Sequence, residues 1–490
     1  MQRSYVLYLQ LLLQAVFFVS QSTSQLVPDP SKYSRTNSVY RAVPEDVNCV
    51  ITRYKDSANV MIDICSSGTI QVDSKLLSAL RLQRLLSYRR VICSAQILGS
   101  HNSVITSAYG YGASDHLYGS NTPTNFTRLS NQYFSLQDQL IMGIRFLELD
   151  FHYFLGDLRA GHCGTFGIDG CNPSRSGIPT EDQQSASKFL QEIADWLRLN
   201  MNEFVFIYID GDEDLVKQNK VSLLVSHITK AFAGIGIYKR SDRPTGTTSW
   251  PTTQQLLQSG KNVAFTTRYD YTSDKQGAKY LHFKQDFCRW SEPSLPLTLY
   301  PDCKFEKSGI YTSSLFGTID RVVSSQIRYG EFDEDLNTGV TVDILDDKTL
   351  PNAMACGVSS PSPDLITPTR MLSMVWTLPP KKSWKNGIHL GYKLNAKYWQ
   401  IINIQNLPDN LGAACQRSND ALVWEVAGPV RDWDDAAKVC DAIGTAESDK
   451  KIFSIPAGAH EHARLKIALG NSGYTNVLFN TDLLNMQLHP

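Results

Sequence analysis

Short apolar runs alternate with longer amphipathic stretches along the middle of this chain. Val91–Leu98 is largely apolar and ends at Gly99-Ser100-His101, and Ile144–Phe151 alternates and carries two acids. Phe204–Ile209 is a continuous apolar run closed by Asp210, and Asn262–Thr267 is a further run of this kind. Such runs predict strands. Between them, Ser185–Asn200 places Phe189, Leu190, Ile193, Trp196 and Leu197 on one helical face, and Asp214–Phe232 also has helical spacing. Repeated strand–helix alternation predicts an α/β fold with a parallel sheet and helices outside, here an irregular TIM-type (β/α) barrel. In such barrels reactive groups sit at the C-terminal ends of strands. His101, Asp150 and Asp210 all fall at such ends.

The flanks read differently. Residues 25–90 form an N-terminal extension, with strands expected at Val60–Ile64 and Thr69–Val72 and a helix at Ser74–Ser87. The barrel is expected over residues 91–409, with Met371–Thr377 and Tyr398–Gln405 as its late strands. Residues 410–490 form a tail containing Cys415, Trp424, Trp433 and Cys440. Its Trp433–Cys440 and Ile452–Ile455 segments faintly resemble the front half of a C-type lectin domain. The bottom-up reading is a Cys-stapled helix and strand packed on the barrel, or a small module.

Composition narrows the partners. With 47 Lys+Arg against 48 Asp+Glu in 490 residues, the formal net charge is -1, which gives no reason to expect nucleic acid. Arg3, the apolar run Tyr5–Val19 and the small polar stretch Ser20–Gln25 predict a signal peptide over residues 1–24, too short to span a bilayer, and hence a secreted protein. Ten cysteines follow it, an even count that in an exported chain suggests disulfides. Short loops favour Cys49–Cys65, Cys163–Cys171, Cys288–Cys303 and Cys415–Cys440. One glycosylation sequon stands at Asn125-Phe126-Thr127. The sequence does not indicate an oligomeric state.

Four segments carry the chemistry: Gly99-Ser100-His101-Asn102, Phe146-Leu147-Glu148-Leu149-Asp150, Gly161-His162-Cys163-Gly164 and Phe204–Asp210. Glu148 and Asp150 are two apart on a strand, so their side chains share a face. Adjacent carboxylates repel unless a cation or proton compensates. All ligands on offer are oxygens, which suits a divalent cation, Ca2+ ahead of Mg2+; Asn102 adds a carbonyl and Asp210 a third carboxylate. His101 and His162 can exchange protons near neutral pH. A lone histidine or a lone E-x-D motif is commonplace. Two imidazoles, three carboxylates and a hard cation in this order suit phosphoryl transfer.

At these residues the sequence resembles the X region of phosphoinositide-specific phospholipases C, over about Val91 to Asp270. That family shows His-Asn after its first barrel strand, then Glu-x-Asp, then His-Gly, then an acid ending a hydrophobic strand. The resemblance implies Asn102, Glu148, Asp150 and Asp210 as metal ligands, His101 on the phosphoryl group and His162 as general acid/base. Bacterial, metal-independent members carry Arg where Asp150 stands and Asp where Asn102 stands, so the chain resembles the metal-dependent branch. It departs in reading His162-Cys163-Gly164 for His-Gly, and in having Asp210 where Glu is more usual. Lys261, Arg268 and Lys284 are the candidate phosphate contacts.

The expected activity is therefore that of a secreted phosphodiesterase cleaving a phospholipid or glycosyl-inositol phosphodiester at a membrane surface, through a cyclic phosphate. The alternatives are a glycerophosphodiesterase or sphingomyelinase D-like enzyme, or a non-catalytic secreted carbohydrate- or lipid-binding protein. Asn102 after His101, and the wide spacing from His101 to His162, weigh against the first pair. The two histidines and three acids weigh against the last, whereas fold alone would not.

Overall fold

The computed structural model describes residues 40–41, 43–55, 61–111, 130–161, 178, 180–211, 214–243, 250–312, 318–323, 345–379, 388–444 and 446–485. The signal-peptide segment, the sequon, His162, Cys163 and Cys171 lie outside them.

Two parallel arcs organise the middle of the chain. In the first, Gly99–Ser100, Phe146–Leu149, Val205–Ile209, Val263–Thr267 and His282–Phe283 pair in that order. In the second, Trp290–Ser291, Ile319–Val323 and Ser360–Ser362 follow one another. A backbone bond of 2.7 Å from Ile97 N–H to Ser359 C=O ties the end of the second arc to the start of the first. No strand ladder joins His282–Phe283 to Trp290–Ser291 among the described residues. The expected parallel α/β arrangement is thus present, and among the described residues the strands do not close into a hydrogen-bonded barrel.

The apolar patterning explains the strands. Val205–Ile209 is buried on both faces because neighbouring strands flank it and residues pack above and below, so it reads as an unbroken apolar run. Helix Ala186–Leu199 starts where the Ser185 side chain accepts from Ser187 N–H, and it buries the predicted face. The stretch predicted as one helix over Asp214–Phe232 is two, Asp214–Lys217 and Val221–Ala231. Asn219 between them has φ 57, a left-handed conformation that no helix continues through.

Helix Ser74–Ser87, capped by Asp73, matches its predicted span. Its Leu76, Ala79 and Leu80 enter the main core, while Leu82 and Leu86 enter a second core with Leu390, Tyr392 and Trp399. The N-terminal segment therefore wedges between two bodies of the molecule. The strand predicted near its start is found at Met61–Cys65. Thr69–Val72 is not a strand; only Gln71 makes a bridge, to Asn48.

The C-terminal region is a mixed sheet that includes His389–Lys393 and Gln400–Ile402 as well as Leu411–Arg417, Asp420–Ala427, Lys451–Phe453 and Asn476–Leu478. The segments assigned to the end of the barrel thus pair with the tail: His389–Lys393 lies against Asn476–Leu478. Gly391 permits this approach, since a Cβ there would stand 2.5 Å from the Val477 carbonyl. Met371–Thr377 is not a strand. Thr367 caps a helix at Pro368–Ser373, with Pro368 in the first turn where its missing N–H costs nothing.

Cys49–Cys65 and Cys415–Cys440 pair as expected. Cys288 and Cys303 do not pair with each other: Cys288 bonds Cys93 and Cys303 bonds Cys356. Cys93 and Cys288 precede strands of the two arcs, and folding brings their Cα atoms to 5.2 Å despite a separation of 195 residues.

Candidate active site

Glu148, Asp150 and Asp210 meet at the C-terminal ends of adjacent strands, with ligand oxygens within 4.8 Å of one another. Register explains this: Leu149 pairs with Ile209, and Asp210 N–H bonds Leu149 C=O at 3.0 Å. Glu148 and Asp150 are 2% and 4% exposed, so they are buried rather than on a solvated strand face. Oδ1 of Asp150 is buried without a hydrogen-bond partner. Burial first, then Glu148 and Asp210, push the Asp150 carboxyl well above the usual carboxylate range. Asp210 is pushed up by burial and by Glu148, against the pull of Arg268. An orphaned buried oxygen within an all-oxygen cluster fits a hard divalent cation.

The turn after Gly99–Ser100 delivers the next groups. Asn102 sits at φ 42, which asparagine tolerates. Its N–H donates to Glu148 Oε2 at 2.9 Å, and its side-chain amide donates to Asn131 Oδ1 at 3.1 Å. Ser103 locks the turn to the next strand: its N–H donates to Glu148 C=O and its Oγ accepts from Glu148 N–H. His101 Nδ1 lies 2.8 Å from Asp364 Oδ1. Asn131 Nδ2 donates to the same oxygen at 3.1 Å, and Gln132 Nε2 donates to the His101 carbonyl at 2.8 Å. With Nδ1–H donating to the carboxylate, Nε2 is the nitrogen left for chemistry. Burial disfavours the imidazolium, but Asp364 and then Glu148 outweigh it, so the His101 pKa is raised.

The candidate phosphate contacts separate. Arg268 follows strand Val263–Thr267 and places Nη1 at 3.1 and 3.2 Å from the two Asp210 oxygens, half exposed at the mouth. Lys284 follows His282–Phe283 and pairs with Glu292 at 2.8 Å. Lys261 is a correction. It precedes its strand, roughly 20 Å of extended chain from Thr267, and its Nζ is held by Asp242 and by the Ile237 carbonyl. A residue before a parallel strand lies at the opposite end from the site.

Sequence reasoning missed Asp364, Glu292, Arg321 and Asn131. Arg321 Nη2 bonds Glu148 Oε2, and its Nη1 lies 3.1 Å from Glu292 Oε1. Glu292 is held down to about 2: burial works against ionisation, but Arg321 and Lys284 overcome it. Asp364 and Glu292 follow Ser360–Ser362 and Trp290–Ser291, so the strand-end rule would have found both once those short strands were recognised.

Residues 119–344 match the family model described as PI-PLC X 1. The match includes Glu148, Asp150, Asp210 and Arg321, and starts after His101 and Asn102. Among solved structures, a phosphatidylinositol-specific phospholipase C from Listeria monocytogenes is 14% identical, over 60% of this chain and 97% of its own, with TM-score 0.34. One from Staphylococcus aureus is 14% identical over 62% and 98%, with TM-score 0.34. A Ca2+-dependent one from Streptomyces antibioticus is 14% identical over 41% and 66%, with TM-score 0.25. Likeness at this level assigns no chemistry. No curated protein matches the chain.

Proposed function

We propose that the protein is a secreted phospholipase C-like phosphodiesterase acting at a membrane surface on an inositol-type phosphodiester, with a divalent cation, Ca2+ ahead of Mg2+. The observation that carries this reading is the His101–Asp364 pair set beside the Glu148–Asp150–Asp210 cluster at one end of the parallel strands.

Glu148, Asp150, Asp210 and Asn102 would hold the cation. Bound there, it would offset charge on a phosphoryl oxygen and acidify a coordinated hydroxyl. The substrate hydroxyl next to the phosphodiester attacks phosphorus, and its proton passes to a carboxylate. Glu148 or Asp210 would take it. His101, whose protonated form Asp364 favours, donates from Nε2 to a phosphoryl oxygen as charge builds. Arg268 reaches the same phosphate from the mouth. The bond from phosphorus to the glycerol oxygen breaks, and His162 returns a proton to that oxygen. Diacylglycerol and a cyclic phosphodiester leave. Lys284 and Arg321 act on the charge balance behind the site.

Turnover of phosphatidylinositol vesicles with Ca2+, with Mg2+ and with excess chelator tests the reading. Activity should vanish in chelator and return with a divalent ion. Full activity in chelator would refute the cation, and no activity on any inositol-type diester would favour a binding protein.

A further inference from the structure

Glu148 already has a cationic partner. Arg321 lies on Ile319–Val323 in the second arc, with its side chain 4% exposed, and its guanidinium bridges Glu148 and Glu292. It is flanked by the Tyr208 ring at 5.1 Å and the Phe146 ring at 5.9 Å. Its Nε is buried without an acceptor, so its hydrogen-bonding capacity is not saturated in this pose. Glu292 is in turn held by Lys284. Four carboxylates (Glu148, Asp150, Asp210 and Glu292) thus face three cations (Arg321, Arg268 and Lys284), which leaves little net charge to attract an ion.

We propose that Arg321 and a divalent cation compete for Glu148, so that Arg321 sets the cation affinity of the site. The inference rests on the cation reading above. An ion coordinated by Glu148 would face a guanidinium of like sign. Its entry therefore requires Arg321 to withdraw toward Glu292, the second carboxylate it already touches. Arg321 is a positioning residue in this scheme, and Glu292 is its resting place in the loaded protein.

The test is Ca2+ binding to the full chain by calorimetry and by displacement of terbium luminescence, with circular dichroism to confirm folding. Arg321→Met should bind Ca2+ at least about tenfold more tightly than wild type, since about 1.4 kcal/mol corresponds to each factor of ten. Arg321→Lys keeps the net charge but cannot bridge two carboxylates, and should tighten binding about threefold or more. Lys284→Met removes the same charge from the network without touching Glu148, and should change affinity less than Arg321→Met. Equal affinity in wild type and both Arg321 variants overturns the proposal, as does a gain in Lys284→Met matching that in Arg321→Met. If Arg321→Met does not fold, Arg321→Lys alone decides. Binding seen only in the Arg321 variants supports the competition and refutes cation use by the native protein. Binding in none of these proteins refutes both.

Discussion

Nδ1 of His101 lies 2.8 Å from Oδ1 of Asp364, although 263 residues separate them in sequence. The pair spans the junction where the last strand of the second arc returns to the first strand of the other. It fixes which ring nitrogen faces the site and favours the protonated ring.

Asp364→Asn should therefore lower the His101 pKa and reduce turnover by roughly tenfold to a hundredfold. The sign follows from the raised folded-state pKa: the pair stabilises the protein most below the ordinary histidine value of about 6.5, and that stabilisation is lost as pH rises through the folded value. The loss of activity on the alkaline side should move to lower pH in the variant. Proton NMR of the His101 ring reads the same shift directly. An unchanged ring titration would contradict the role given to Asp364.

Asp150→Asn should keep the fold and abolish cation binding. The substitution removes the charge of a group whose Oδ1 has no partner. Thermal melting should show equal or higher stability for the variant without cation, because the repulsion from Glu148 and Asp210 is relieved. A large drop in melting temperature would show that Asp150 is structural.

At the other end of the strands, Glu203 joins Arg145 at 3.0 Å and Arg84 at 3.0 Å, and accepts from Tyr88. Burial opposes its ionisation, but Arg145 and Arg84 outweigh it and hold the carboxyl far below its usual range. Glu203→Ala leaves buried guanidinium groups unpaired and should cost about 3–5 kcal/mol, read by urea unfolding at neutral pH. The contribution of Glu203 is complete above the ordinary glutamate value of about 4.3 and is lost as pH falls through its depressed folded value. The gap between variant and wild type should accordingly narrow in acid.

Cys93–Cys288 closes a separation of 195 residues. Replacing both cysteines by serine should destabilise the protein by about 2–5 kcal/mol, measured by denaturant unfolding under non-reducing conditions. A smaller effect should follow loss of Cys49–Cys65, whose separation is 16 residues.

The legible part of this molecule was the part whose chemistry is local. Glu148, Asp150 and Asp210 stand on or just after apolar strands, and strand periodicity together with parallel register is enough to bring them together. Helix Ser74–Ser87 and the Ala186–Leu199 face were visible for the same reason. What stayed hidden depends on contacts distant in sequence. Asp364 and Glu292 follow strands of three and two residues, too short to leave a hydrophobic pattern. Arg321 reads as a surface charge until the opposing Glu148 is seen. Spacing favours the nearer Cys303 for Cys288 because it carries no information about the two arcs, which bring Cys93 and Cys288 together. Lys261 precedes strand Val263–Thr267, so its sequence position alone puts it at the end opposite the site, where Asp242 holds it.

The most direct test of the proposed function is phosphorus NMR of phosphatidylinositol turnover with Ca2+ present. The proposed chemistry uses the substrate's own hydroxyl as nucleophile. A cyclic phosphodiester should therefore be the first phosphorus-containing product, ahead of any acyclic phosphate, and should disappear from the spectra of His101→Ala and His162→Ala on the same timescale. Acyclic phosphate alone from the earliest spectra, or undiminished cyclic product from both histidine variants, would contradict it.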